Sequence, residues 1–234
     1  MDLIIVRHAR PERVENDDSD GPADPPLSQL GIKQARAVAD FLKGENIDRI
    51  VSSSMRRALE TAEPLSKTTR ITVSSRDDLR ESDHNSSTYI PVEEMTYDSA
   101  PIQAYINDPL AVFEGDYDAF RDRVVGAFDD LIATHRGETV VVFCHGMVTS
   151  VYLQTLWSLD NPFMIQPDYT GITRVQASTN GLRTVRSINE TSHVRDLIER
   201  PTFGKKIYDT SSTEKSTPVS STLCSQRARP SWTS

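Results

Sequence analysis

The sequence predicts an α/β fold, a three-layer α/β/α sandwich with a mainly parallel central sheet, and three observations lead there. Two short runs, Leu3-Ile4-Ile5-Val6 and Val140-Val141-Val142-Phe143, are continuously apolar, as strands covered on both faces of a parallel sheet are. Around them, helical periodicities alternate with further short apolar runs. Each of the two runs also delivers a histidine just past its C-terminal end, His8 and His145, and that edge is where open α/β sheets hold their ligands.

The first run leads into Arg7-His8. Residues 10–26, rich in Pro, Asp and Glu, show no periodicity and read as a long loop. Ser28 suits a helix N-cap; Ala35, Val38, Ala39 and Leu42 keep helical spacing, and Lys43-Gly44 supplies a last-turn cation and a C-terminal glycine. Ile47 to Val51 reads as a second strand closing a βαβ unit. The serines that follow suit a strand end and the N-cap of the next helix. Arg57 falls in the first turn of that helix, where the macrodipole disfavours a cation. A cation kept there points to an anion nearby, with an ion pair to Glu60 as the alternative.

Ile71-Thr72-Val73 is a third strand candidate, followed by Asp77 to Asp83. Residues 84–115, broken by Pro91, Pro101 and Pro109, hold one short helix near Ala100 to Ile106 and read as an insertion covering one end of the sheet. Phe120, Val124, Ala127, Phe128 and Leu131 mark the most regular helix, which His135-Arg136-Gly137 ends. After the strand from Thr139 to Cys144, a helix runs through Val151, Leu153, Leu156 and Trp157. Residues 173–177 and 182–185 pair as a hairpin around Thr179-Asn180-Gly181, and a polar segment runs from Asn189 to Arg200.

At 234 residues the chain suits one domain with an appendage. Residues 1–200 make the folded body, and 201–234, where 14 of 34 residues are Ser or Thr, read as a disordered tail. The net charge of −8 divides into +3 for the tail and −11 for the body. So acidic a body repels nucleic acid, and an anionic ligand would need positive charge concentrated in one pocket. No run approaches the roughly 20 apolar residues of a membrane span, and Asp2 takes the place of a basic leader. Cys144 and Cys224 give neither a disulfide framework nor a metal-type spacing. A cytoplasmic setting is the default, and the oligomeric state is unreadable.

Arg7, His8, Arg57, Glu81 and His145 each stand just beyond an expected strand. If those strands are parallel, the five converge at one edge. Two guanidinium forks and two imidazoles make an anion site, and phosphate matches that geometry best. Gly146, opening the helix after His145, lets backbone N–H groups and the helix dipole approach the same anion. Glu81 is the carboxyl group able to carry a proton.

This set resembles the histidine phosphatase superfamily, the phosphoglycerate-mutase-like branch of α/β folds. The matching pieces are Val6-Arg7-His8, Leu27-Ser28-(x2)-Gly31-(x2)-Gln34-Ala35, Ser52-Ser53-(x3)-Arg57-Ala58-(x2)-Thr61-Ala62, Leu79-Arg80-Glu81 and Cys144-His145-Gly146. Asn189 with His193 resembles the family's closing segment. These pieces lie in the family's order across residues 2–194. The resemblance implies a catalytic domain over residues 1–200, with His8 as a nucleophile that becomes a phosphohistidine. Arg7, Arg57, His145 and Gly146 would bind phosphate, and Glu81 would serve as proton donor and then as base. It implies a small phosphate ester as substrate and requires no metal or other cofactor.

The chain departs from the family's pattern at Ala9, usually Gly, which is tolerable only with negative φ. Pro11 and Val14 stand where the family often has phosphate-contacting Thr and Asn, and Asn16 could substitute from a longer loop. Asp83 and His84 are near enough to Glu81 to share its role. Cys144 reads as a core residue rather than a partner of His145, since successive strand residues face opposite ways. His135 reads as a helix-end cation, His193 as structural, Trp157 as packing and Trp232 as tail. Asp17, Asp18, Asp20 and Asp24 make a solvated acidic loop. Two alternatives stay open: a phosphoglycerate mutase, which needs extra basic residues at the pocket mouth, and a noncatalytic phospho-ligand-binding module. The mostly acidic or neutral residues of 10–26 and 84–115 favour hydrolysis.

Overall fold

The computed structural model describes residues 1–17, 21–113, 116–178 and 180–198. The Ser/Thr-rich segment with Cys224 and Trp232, the loop residues Asp18 and Asp20, and Thr179 of the hairpin turn lie outside the described residues. In chain order the strands are β1 (Asp2–Arg7), β2 (Val14–Glu15), β3 (Arg49–Ser53), β4 (Val73–Arg76), β5 (Thr88–Tyr89), β6 (Thr139–Cys144), β7 (Ile172–Ala177) and β8 (Arg183–Glu190). The α-helices are α1 (Gln29–Leu42), α2 (Arg56–Thr69), α3 (Ala100–Asn107), α4 (Tyr117–Thr134) and α5 (Gly146–Trp157).

One six-stranded sheet runs β4-β3-β6-β1-β7-β8. Strands β4, β3, β6 and β1 are parallel, and β7 and β8 join antiparallel at the far side. The continuous apolar runs follow from the two-residue repeat of a strand. Leu3, Ile5, Val140 and Val142 pack with Val124, Phe128, Val148 and Val151 of α4 and α5. Their neighbours Ile4, Val6, Val141 and Phe143 pack with Val38, Leu42 and Leu65 of α1 and α2. Helices therefore cover both faces, giving the three layers that the sequence predicts. Among the described residues no helix is long and apolar enough to cross a membrane.

Several local expectations hold. The Ser28 hydroxyl caps α1 by accepting from the Gly31 N–H at 3.0 Å. His135 ends α4, with Gly137 at φ 79° just beyond it. Ala9 is absent from the left-handed region and is fully buried against Leu27 and Ala35.

Others need correcting. β6 inserts between β1 and β3, so the first βαβ crossover skips a strand position. The third strand is Val73–Arg76, two residues later than expected, with Ile71 packed beneath the sheet instead. The N-cap of α2 is Met55, not a serine, and makes no side-chain cap bond. Asp24 caps the helix from the loop, its carboxylate accepting from Arg56 N–H at 2.9 and 3.1 Å. Gly44 has no left-handed φ, because α1 closes in a right-handed turn in which Glu45 N–H donates to the Leu42 carbonyl. Trp157 is 43% exposed, since α5 ends there, at the left-handed Ser158.

Candidate active site

The sheet register builds the centre of the site. β1 and β6 are neighbours with Arg7 opposite Cys144, so the next residue of each strand, His8 and His145, leaves the sheet edge side by side. The His8 N–H donates to the Cys144 carbonyl at 2.8 Å, and the two ring centroids are 5.1 Å apart. Both histidines are buried.

His8 Nδ1 lies 2.8 Å from the carbonyl oxygen of its neighbour Ala9. A carbonyl can only accept, so Nδ1 carries the proton and Nε2 keeps its lone pair. Burial, then the charges of Arg57 and Arg7, hold the imidazole well below its usual pKa and therefore neutral. The conformation is fixed from behind. Thr61 Oγ1 accepts from the Ala9 N–H at 2.9 Å, and Gln34 Oε1 accepts from the Arg10 N–H at 2.9 Å. Gly31 lets α1 approach so closely that a Cβ there would stand 2.0 Å from the Arg10 carbonyl oxygen. The Gly31-(x2)-Gln34 and Arg57-(x3)-Thr61 spacings thus serve to clamp the chain just after His8.

Two arginines flank it. Arg57 is fully buried in the first turn of α2. One arm, Nη2, donates to Asp83 at 2.7 Å, and the guanidinium lies over the Tyr89 ring at 4.8 Å. Glu60, the expected alternative partner, pairs with Arg56. Arg7 donates through Nη1 to the Pro167 carbonyl at 2.7 Å and lies over the Tyr169 ring at 4.1 Å. Each guanidinium thus has one arm anchored and one face covered by an aromatic ring.

His145 receives its orientation from Ser53. The Ser53 hydroxyl is 2.8 Å from His145 Nε2 and already accepts from the Met55 N–H. Among the described residues Nε2 is the acceptor that the Ser53 proton meets, which leaves the ring's proton on Nδ1. Burial, with Arg57 next, keeps this imidazole neutral too. His145 Nδ1, Arg7 Nε, Arg57 Nε and Arg57 Nη1 are all buried and have no hydrogen-bond acceptor among the described residues. Buried donors are normally paired. Four of them around one imidazole fit the oxygens of a tetrahedral anion. Gly146 opens α5 beside Arg7, at the positive end of the helix.

Glu81 closes the set. Its carboxylate accepts from the Met147 N–H at 2.9 Å and the Ser82 N–H at 3.0 Å. Burial, then the nearby Asp83 charge, raises its pKa despite those bonds and Arg57. A buried carboxyl held at the start of α5 keeps its proton to higher pH than a free one does. Asp83 is committed to Arg57, while His84 Nδ1 meets the Glu81 carbonyl at 2.8 Å rather than its carboxylate.

The remaining candidates lie elsewhere. Asn16 is engaged within its own loop, its amide donating to the Gly21 and Pro22 carbonyls. The Cys144 thiol faces Thr149 on the opposite side of the strand, and burial pushes it up to about 12. His135 pairs with Glu138. His193 stacks on Phe41 and bonds the Thr170 carbonyl. Among the described residues no three His, Cys, Asp or Glu side chains gather as metal ligands.

Sequence reasoning missed Tyr89, Tyr169, Pro167 and the part played by Ser53. Only Ser53 left a signal, as the residue four before Arg57. The tyrosines and Pro167 come from irregular segments with no periodicity to place them.

Comparison with known proteins gives the same picture. The family model described as histidine phosphatase superfamily (branch 1) matches residues 3–191. A phosphoserine phosphatase of Hydrogenobacter thermophilus is 33% identical over 147 residues, covering 61% of this chain and 70% of the relative. A phosphatase of Bacillus subtilis is 27% identical over 144 residues, covering 62% and 71%. Among solved structures, phosphoserine phosphatase of Entamoeba histolytica with 3-phosphoglyceric acid shares the fold at TM-score 0.66 and 24% identity, over 82% of this chain and 98% of that one. A mycobacterial glucosyl-3-phosphoglycerate phosphatase does so at 0.60 and 21%, over 80% and 98%. The register that sets His8 against His145, and the family model that spans the whole sheet, lead to one conclusion: the chain belongs to the histidine phosphatase superfamily (branch 1).

Proposed function

We propose that this chain hydrolyses small phosphomonoesters through a phosphohistidine on His8. The observation that carries the reading is the neutral His8 ring, anchored at Nδ1 on the Ala9 carbonyl, amid the four buried and unaccepted donors of Arg7, Arg57 and His145. In the first step the Nε2 lone pair attacks phosphorus and the ester P–O bond breaks. Its electron pair goes to the leaving oxygen, which takes a proton from Glu81. The imidazole becomes cationic, and its Nδ1–H bond to Ala9 strengthens accordingly. Charge spread over the equatorial oxygens meets Arg7, Arg57 and His145. In the second step the Glu81 carboxylate takes a proton from water, whose oxygen bonds to phosphorus. The P–N bond breaks, its pair returns to Nε2, and inorganic phosphate leaves with Glu81 protonated again.

The same reading takes residues 1–200 as the catalytic domain and 84–115 as its cover. Tyr89 over Arg57 and the 2.7 Å pair of Glu94 with Arg10 support that. With Glu93 and Glu94 close to the arginine side of the site, a second phosphate-bearing ligand is disfavoured, and water is the better acceptor.

The test is hydrolysis of p-nitrophenyl phosphate in EDTA by the protein and by His8→Ala, with rapid quenching to trap the intermediate. Turnover that vanishes in the variant, together with an acid-labile phosphoryl group on His8, is expected. Equal turnover in both proteins would refute the assignment of His8.

A further inference from the structure

One side of the site has a chemistry of its own, which differs from that of the phosphate cradle. Tyr169 covers Arg7 and lies 5.6 Å from the His8 ring, centroid to centroid. Tyr89 covers Arg57. The two phenolic oxygens meet at 3.5 Å, so the aromatic pair walls one side of the space above His8. Against that wall lies Glu93, in the 3-10 turn Val92–Glu94. Its carboxylate faces Tyr169 and sits in the field of Arg7 and Arg10. One oxygen, Oε2, is buried and has no hydrogen-bond donor among the described residues. The carboxylate of the next residue, Glu94, is held by Arg10 at 2.7 Å, and Asp83 is taken up by Arg57.

A buried carboxylate oxygen without a donor is unfavourable, and such groups in folded proteins usually have a reason. From this geometry, and resting on the phosphatase reading above, we infer that Glu93 selects the leaving group. The site takes phosphomonoesters whose alcohol carries an ammonium or another hydrogen-bond donor near the ester oxygen, and it disfavours those whose alcohol carries a carboxylate. A donor there completes the bonding of Oε2. A carboxylate there sets two like charges against each other in a space where water screens them poorly. Discrimination built on a buried polar group is large, because the wrong ligand leaves that group unpaired.

Three esters of similar size separate the possibilities: 2-aminoethyl phosphate, 2-hydroxyethyl phosphate and phosphoglycolate, which offer an ammonium, a hydroxyl and a carboxylate. Each kcat/KM is divided by that on p-nitrophenyl phosphate, whose leaving group carries no such donor and which reports the phosphoryl chemistry alone. In the native protein the aminoethyl ester should exceed phosphoglycolate by about tenfold or more, with the hydroxyethyl ester between them. In Glu93→Gln that ratio should fall to about one, and in Glu93→Lys it should invert.

Equal rates or a preference for phosphoglycolate in the native protein, with p-nitrophenyl phosphate hydrolysed, would overturn the inference while leaving the phosphatase reading intact. A Glu93→Gln variant that slows all three esters equally would also overturn it, as a structural role does. The native ratios stand as a test even if a variant does not fold. Absence of turnover on every ester, p-nitrophenyl phosphate included, would remove the phosphatase reading and this inference with it.

Discussion

Replacing Arg57 by lysine tests the anion cradle most sharply, because it keeps the charge and removes only the fork. In the structure the guanidinium divides its work. Nη2 holds Asp83 at 2.7 Å, while Nε and Nη1 are buried and meet no acceptor among the described residues. A lysine ammonium is a single point and cannot serve both directions. If it stays on Asp83, both bonds to phosphate are lost. At about 1.5–3 kcal/mol for each charge-assisted bond, that is about 3–6 kcal/mol, or about a hundredfold to ten-thousandfold in rate. If it turns to the phosphate, one bond survives and Asp83 loses its partner. The Asp83 side chain is 31% exposed, so water can solvate it and the loss shrinks to about tenfold to a hundredfold. Either way kcat/KM for p-nitrophenyl phosphate should fall at least about tenfold, and the inhibition constant of inorganic phosphate should rise in step. Circular dichroism melting of both proteins would separate this from unfolding. Values of kcat/KM and phosphate inhibition within threefold of the native protein would refute a forked role for Arg57.

The pH profile follows from two shifts of opposite sign. Burial and the two arginines lower His8 below 6.5, so the acid limb, where a proton on Nε2 removes the nucleophile, should lie below that pH. Burial raises Glu81 above 4.5, and the alkaline limb, where the donor has lost its proton, should lie above that value. For an alkyl phosphate, with the substrate's own ionisation divided out, Glu81→Gln should abolish the alkaline limb and retain the acid one. An acid limb above 6.5, or an unchanged alkaline limb, would count against these assignments. Asn189→Ala tests the strap behind Arg7. Asn189 accepts from the Asp168 N–H at 2.8 Å and donates to its carboxylate at 2.9 Å. It thereby fixes the turn whose Pro167 carbonyl holds Arg7 and whose Thr170 N–H bonds the Arg7 carbonyl. Two lost bonds, plus alanine at φ 53°, should destabilise the fold by about 2–4 kcal/mol in urea unfolding and raise KM more than they lower kcat. A stability change under 0.5 kcal/mol, taken as the rough limit for a surface site, would show the strap to be dispensable.

What the sequence by itself determined is what covalent adjacency and periodicity control. Two continuous apolar runs meant strands covered on both faces, and the residues immediately after them, His8 and His145, had to leave at the ligand-binding edge. Arg57 in the first turn of a helix was conspicuous because a cation opposes the dipole there. Ser28, Gly31 and Gln34 were visible as a spacing, although their task of clamping the backbone after His8 was not. What only the tertiary structure decided depends on pairings between distant segments that have no local signature. β6 enters between β1 and β3, which turns two separate histidines into neighbours 5.1 Å apart. Asp24, thirty-two positions from Arg56 in the chain, caps α2, and Asp83 anchors Arg57 where Glu60 had been the local alternative. Tyr89 and Tyr169 sit in segments without periodicity, and only their packing over the arginine faces reveals them. The protonation states belong to this second class as well. Burial and neighbouring charge set them, and a side chain acquires both only once the chain has folded around it.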